Sequence, residues 1–202
     1  MRAFLSHASP RILIAALALA LCARAALGPF GARDLLPLAA LLLFWPLQEW
    51  LIHVVVLHWK PRRVLGRTLD FPVPRKHRAH HADPADPALV FIPLHSYAYT
   101  LPGLVALWLL ATRDPGLAAT GIAGHLALAL HYEWVHYLVH TRWRPRWRPY
   151  RALWRNHRLH HFKNEHYWFG VTRLGADRWL GTQPASDAVP TSPTCRTLGI
   201  AP

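Results

Sequence analysis

Apolar residues in this chain come in long blocks, not at the helix or strand period that leaves each element a polar face. Four blocks are long enough to cross a bilayer as helix, which takes about 20 residues. They are Ile12 to Leu27, Leu35 to His58, Leu89 to Thr112 and Gly116 to Val139. Only Arg113-Asp114-Pro115 separates the last two, so they fold back as an antiparallel hairpin. The first block has two readings. A basic start, an apolar core from Ile12 to Leu21 and then Ala23-Arg24-Ala25 fit a signal peptide, whereas the apolar extension from Ala25 to Leu27 fits a retained helix. Beyond Thr182 periodicity stops, and the Pro, Ser, Thr and Ala of residues 183–202 predict a disordered tail. The chain thus divides into an N-terminal segment with the first helix (1–34), a membrane domain (35–182) and that tail. The fold class expected is an all-α integral membrane protein, with about four transmembrane helices in two hairpins.

Charge orients this frame. The 202 residues are 52% hydrophobic with a formal net charge of +13, and seventeen of the 23 Lys and Arg lie from Lys60 to Arg78 and from Arg142 to Arg178. Cytoplasmic loops are enriched in Lys and Arg, so both segments are assigned to the cytoplasmic side, whether or not the first block is cleaved. The membrane is the cell membrane in a bacterium and the endoplasmic reticulum in a eukaryote. Thr141 to Arg155, TRWRPRWRPYRALWR, interleaves Arg with aromatics as a nucleic-acid surface does. Directly after a span, however, Trp and Tyr sit at headgroup level and Arg meets anionic lipid. No nucleic-acid partner is expected. Cys22 and Cys195 are too few and too far apart for a disulfide framework or a CxxC metal site.

The histidines carry the chemistry. Ten of the 15 fall into four clusters: His53 and His58; His77, His80 and His81; His136 and His140; His157, His160 and His161. On the topology above, all four lie at cytoplasmic span ends or in cytoplasmic segments, which predicts a cytoplasmic helical cap. A lone histidine near a membrane is ordinarily a hydrogen-bonded side chain. Clusters are different, because helical positions three and four apart share a face. His136 and His140 stack, and each HxxHH can aim three imidazoles at one region. His53 and His58 diverge by about 140° on an ideal helix. They need a helix end between them, which Trp59-Lys60-Pro61 can supply, or else one of them reaches a second metal. Imidazole suits Fe, Zn and Cu, and one ion takes about four to six ligands, so ten histidines predict a dimetal site.

Carboxylates narrow the class. A ferritin-like di-iron site needs about four Glu and two Glu-x-x-His motifs. This chain has three Glu and one such motif, Glu133 to His136. Glu133 and Glu49 are instead read as partners that orient a ligating imidazole, each one turn before a histidine. Either can equally be an ordinary acid at the membrane interface. His166 is a candidate further ligand or hydrogen-bond partner, His131 lies off the face of its neighbours, and His7, His95 and His125 carry no site assignment.

The order HxxxxH, HxxHH, HxxxH, HxxHH resembles the fatty acid hydroxylase superfamily of membrane di-iron enzymes. Supporting strings are QEWLIH, HRAHHADPADPALVFIPLHS, YEWVHYLVHT, NHRLHHFKNEHYWFGVT and ADRWLGT, from about Phe44 to Thr182. YEWVHYLVHT is also similar to a pattern of fatty acid 2-hydroxylases. The resemblance implies that His53, His58, His77, His80, His81, His136, His140, His157, His160 and His161 hold two irons, for which zinc can substitute in preparations. It implies an O2-dependent oxidoreductase that hydroxylates a C–H bond of a membrane lipid, a fatty acyl chain or a related one. A sterol or carotenoid hydroxylase or desaturase is the nearest alternative, and a non-catalytic membrane metal-handling protein a more distant one. Trp134, Tyr137, Tyr167, Trp168 and Phe169 either line a lipid channel or pack and anchor. The chain shows no GxGxxG after a strand and no haem domain, so a ferredoxin or cytochrome with its reductase is the expected electron donor. The Arg-rich segments offer it a docking face, although most of those charges serve topology. Oligomeric state is not legible.

Overall fold

In the computed structural model, which describes residues 1–200, the apolar blocks become helices and the polar segments fold into short helices and turns. The helices are α1 (Arg2–Leu5), α2 (Ala8–Ala26), α3 (Leu35–Leu51), α4 (Pro72–Ala82), α5 (Pro87–Val90), α6 (Tyr97–Thr112), α7 (Pro115–Val139), α8 (Arg148–Phe162) and α9 (Gly175–Trp179). A π-helical stretch, Ile52–Leu57, continues α3. Strands β1 (Arg62–Val64) and β2 (Arg67–Leu69) pair antiparallel, Arg62 opposite Leu69. The chain divides into two units: Met1–Trp45 with Phe91–Trp134, and Pro46–Val90 with Val135 onward.

The first unit holds α2, the start of α3, α6 and most of α7. Leu13 and Ala20 of α2 pack with Tyr97 of α6 and Ala123 and Leu126 of α7. Leu41 of α3 packs with Trp108 and Ala118. Gly121 lets the Trp108 ring lie directly on α7, since a Cβ there would stand 2.4 Å from the indole. The turn between α6 and α7 falls where the sequence places it. Arg113 closes α6 in the left-handed region (φ 53°), and the Asp114 carboxylate accepts the N–H groups of Gly116 (2.9 Å) and Leu117 (3.0 Å). An Arg24–Asp34 ion pair (2.6 Å) is partly buried in this unit, and Asp34 also accepts the Gly31 N–H (2.8 Å) and the Thr120 hydroxyl. Charges in an apolar helical setting persist only when paired in this way.

Three stretches combine the length and apolar composition of a membrane span: Ala8–Ala26, Ala32–Leu57 and Pro87–Thr112. The sequence reading expects a fourth in α7. At 25 residues α7 is long enough, but His125, His131, Glu133 and His136 dilute its apolar character.

The second unit is polar and histidine-rich. α4 and α8 both open with a proline in the first turn, where its missing N–H is not needed. The predicted tail is a point of difference. Composition predicts disorder over 183–202, whereas residues 183–200 run as successive turns fastened to the rest of the unit. Ser192 N–H donates to the Lys163 carbonyl (2.7 Å), the Asn164 amide to the Pro190 carbonyl (3.3 Å), and the Trp168 indole N–H to the Pro184 carbonyl (3.2 Å). Val189, Cys195 and Leu198 are buried. The segment has no periodicity because its order comes from these long-range partners, not from regular structure of its own.

Candidate metal centre

The second unit gathers all ten clustered histidines into two groups of five. One is His53, His58, His77, His81 and His160; the other is His80, His136, His140, His157 and His161. Within each group the ligand nitrogens lie within 4.8 Å of one another. Each HxxHH is split between the groups. On α4 the i, i+4 pair His77 and His81 joins the first group and His80 the second. On α8 the pair His157 and His161 joins the second and His160 the first. Each group therefore takes two such pairs and one crossover histidine. The groups adjoin, with the rings of His81 and His161 stacked at 4.1 Å.

His53 and His58 meet without a helix end between them. The helix widens over Ile52–Leu57, and His58 N–H donates to the His53 carbonyl (3.1 Å), closing a turn over five residues. A π turn brings positions i and i+5 over one another, as an α-helix does for i and i+4. The helix ends at Leu57 with His58 as its C-cap, just before Trp59-Lys60-Pro61.

Backbone carbonyls fix the outer nitrogen of four of the ten histidines. His53 Nδ1 donates to Phe169 O (2.6 Å), His81 Nδ1 to Cys195 O (2.9 Å), His160 Nδ1 to Tyr167 O (2.8 Å) and His136 Nδ1 to Val90 O (3.0 Å). A carbonyl can only accept, so Nδ1 carries the proton and Nε2 keeps its lone pair. In the first group the Nε2 atoms of His53, His58, His77, His81 and His160 are buried with no hydrogen-bond partner among the described residues. In the second, Nε2 atoms approach one another: His80 to His136 at 3.1 Å, His140 to His157 at 3.1 Å and His157 to His161 at 3.0 Å. Ligands about 2.1 Å from one ion and at right angles around it stand about 3.0 Å apart. Burial, reinforced by mutual repulsion, pushes His77, His80, His157, His160 and His161 well below the ordinary histidine range. His81 is pushed down to about 4, burial outweighing its carbonyl bond. Neutral, converging imidazoles with orphaned lone pairs fit transition-metal ions, and an all-nitrogen donor set suits Fe, Zn or Cu.

Carboxylates act one step further out. The sequence assigns Glu49 to His53, but the Glu49 carboxylate accepts the N–H groups of Val171 and Thr172 (the latter 2.7 Å) and the Thr172 hydroxyl (2.5 Å). It holds the loop whose Phe169 carbonyl accepts from His53. Glu133, assigned to His136, accepts the Ser9 hydroxyl and the Ile92 N–H (2.9 Å), and Ser9 lies 2.6 Å from the Tyr97 hydroxyl.

Asp177, Asn156, Gly170 and Glu165 go unassigned in the sequence reading. Asp177, fully buried, accepts the N–H groups of Phe169 (3.0 Å) and Gly170 (2.7 Å), the Thr182 hydroxyl (2.6 Å) and the Asn156 amide (3.4 Å). Asn156 also donates to Gly170 O (2.8 Å). Between the two anchoring carbonyls, Trp168 takes the left-handed region (φ 59°) and donates its N–H to Thr182 O (2.8 Å). That kink turns the flanking carbonyls of Tyr167 and Phe169 onto His160 and His53. Gly170 is required beside it, since a Cβ would lie 2.1 Å from Arg173 O. Glu165 is buried too, beneath Thr194 of the tail. ADRWLGT and NHRLHHFKNEHYWFGVT are the strings that carry these residues, so the signal was present without a role attached. Phe169, a candidate channel residue, packs edge-on to His53 and His58 (5.5 and 5.6 Å). His166 and His131 belong to neither group; the His166 side chain is exposed, with Nε2 3.3 Å from Glu165.

Fold and site together define a helical protein with membrane-span-like helices and two adjoining all-histidine groups that could each hold a metal ion. The description of the fatty acid hydroxylase family matches residues 38–182, and the chain belongs to that family. Two dihydroceramide fatty acyl 2-hydroxylases of Arabidopsis thaliana are similar to it. One is 29% identical over 147 residues, covering 72% of this chain and 60% of that protein. The other is 27% identical over 167 residues, covering 77% and 64%. The chain thus spans less than two thirds of either relative's length. The hydroxylase domain of full-length Scs7p shares the fold, with a TM-score of 0.68 and 22% identity over 90% of this chain and 66% of that one.

Proposed function

We propose that the protein is an O2-dependent di-iron lipid hydroxylase acting on the fatty acyl chain of a membrane lipid, with a ceramide-type amide lipid as first candidate. The observation that carries this reading is the pair of five-imidazole groups in a member of the fatty acid hydroxylase family. The names of the Arabidopsis relatives supply the substrate class. Irons bound there supply reductive activation of O2 and oxygen insertion into an unactivated C–H bond. Overall, one oxygen atom enters the lipid as hydroxyl and the other leaves as water, which consumes two electrons and two protons. The residues from 1 to 202 carry no flavin- or nicotinamide-binding motif, and in this reading a ferredoxin or cytochrome with its reductase delivers the electrons. Exposed Arg63, Arg67, Arg151 and Arg155 offer an acidic donor a landing surface. The protein's own part is to keep the imidazoles neutral and aimed: carbonyls of Phe169, Tyr167, Cys195 and Val90 hold Nδ1 protons, and Glu49 and Asp177 hold the loop that presents two of them. In this reading the histidine groups face the cytoplasm and α7 is the fourth span.

The test is comparative lipid mass spectrometry under 18O2, on cells expressing the chain or His81→Ala with a working reductant. The expected result is an acyl lipid carrying one 18O atom, present only with the unmodified chain. A product two hydrogens lighter would mark a desaturase, and a labelled sterol or carotenoid would reassign the substrate. Equal label in both strains would sink the reading.

A further inference from the structure

We infer that the C-terminal turns from Val189 to Leu198 are a working part of the first metal group, a strap that sets the orientation of His81. The inference rests on the reading that the two groups hold two metal ions. The family match stops at Thr182, so the strap lies outside the matched region. Yet its Cys195 carbonyl accepts from His81 Nδ1 (2.9 Å), leaving the buried Nε2 of His81 as the free lone pair. His81 is a member of the first group alone. No side chain is asked to do this, so only the path of the strap's backbone can place that oxygen.

The path is fixed at several points. Ser192 N–H donates to Lys163 O (2.7 Å), one residue past α8, and the Ser192 and Thr194 hydroxyls are 3.0 Å apart. Thr194 Oγ1 donates to Glu165 Oε1 (2.5 Å). Glu165 is buried, and its other oxygen has no hydrogen-bond partner among the described residues. The Thr194 hydroxyl holds this buried carboxylate at Oε1, where His166 Nε2 also lies at 3.3 Å, so the strap and the segment after α8 are fixed to one another. Cys195 and Leu198 are buried and close the strap down. The other anchoring carbonyls, Phe169, Tyr167 and Val90, belong to segments within the family match. The strap therefore anchors a histidine of the first group and none of the second.

Outer partners of metal-ligating histidines typically contribute 10- to 100-fold in affinity. Two variants test the strap: a chain ended after Asp187, and the full-length double variant Ser192→Pro/Thr194→Val, which releases two anchors without touching a histidine. Each is purified beside the unmodified protein, metal is counted by elemental mass spectrometry during chelator titration, and the Co2+-loaded forms are compared by visible absorption. The unmodified protein should hold two ions. In both variants one ion should be lost at about 10-fold lower chelator or less, with altered Co2+ bands, while the second ion persists. Two ions of unchanged affinity and unchanged Co2+ bands in the full-length double variant would overturn the strap's role, as would equal loss of both ions there. Absence of metal from the unmodified protein would instead overturn the dimetal reading on which this rests.

Discussion

His160→Ala and His161→Ala, one residue apart on α8, are expected to remove different metal ions. Each should lower the count from about two ions per chain to about one, and each should cost at least about 100-fold in turnover, since even outer partners of metal ligands contribute 10- to 100-fold. The expectation comes from the split of the HxxHH motifs, in which His160 joins the group of His53, His58, His77 and His81, and His161 joins the other. Single variants cannot show which ion has gone, but pairs can. His81→Ala combined with His160→Ala damages one group twice and should still leave about one ion. His81→Ala combined with His161→Ala damages both groups and should leave none. Elemental analysis of the purified protein reads this directly, and turnover should follow the same non-additive pattern. Equal metal content in the two double variants would mean that the ten histidines act as one undivided cluster.

Much of this arrangement is legible in the sequence. Three of the four apolar blocks become helices within a few residues of their expected limits, because length and apolar character are properties of the chain itself; the third, expected from Leu89, is interrupted after α5 and its long helix starts only at Tyr97. The i, i+4 pairs His77 with His81, His136 with His140 and His157 with His161 follow from helical period alone. What the period cannot give is allocation. That His80 leaves its neighbours for the other group depends on where α7 and α8 run, which are contacts distant in sequence. The π turn at His53 is likewise hidden, since no residue type in Ile52–Leu57 announces a widened helix. Glu49 was legible as an acid one turn before His53 but not as the clamp of the distant loop at Val171 and Thr172. The strap was the hardest to see. Its composition is that of a disordered segment, and the group that reaches His81 is a main-chain carbonyl, which the sequence writes identically at every position.

Asp177→Ala should be the most damaging change that leaves every histidine in place. The carboxylate accepts four hydrogen bonds, two of them from the successive N–H groups of Phe169 and Gly170. Removing it strands these donors in a buried site, at about 1–3 kcal/mol for each unsatisfied group. A loss of about 3 kcal/mol or more is expected, visible as a lower midpoint in thermal unfolding of the detergent-solubilised protein. The consequence for the metal centre is directional. The loop from Tyr167 to Phe169 anchors His160 and His53, both in the first group, whereas the second group takes no anchor from it. The first ion should therefore bind about 10- to 100-fold more weakly, with the second little changed. Asp177→Asn retains an oxygen for one of the two N–H groups and turns an amide donor toward the other, so it should fall between the unmodified protein and the alanine variant in both measurements. Glu49→Ala acts on the same loop from its other end, through Val171 and Thr172, and should weaken the same ion. An Asp177→Ala protein that melts with the unmodified one and keeps two tightly held ions would show that the loop is held by its own backbone, with the carboxylate a bystander.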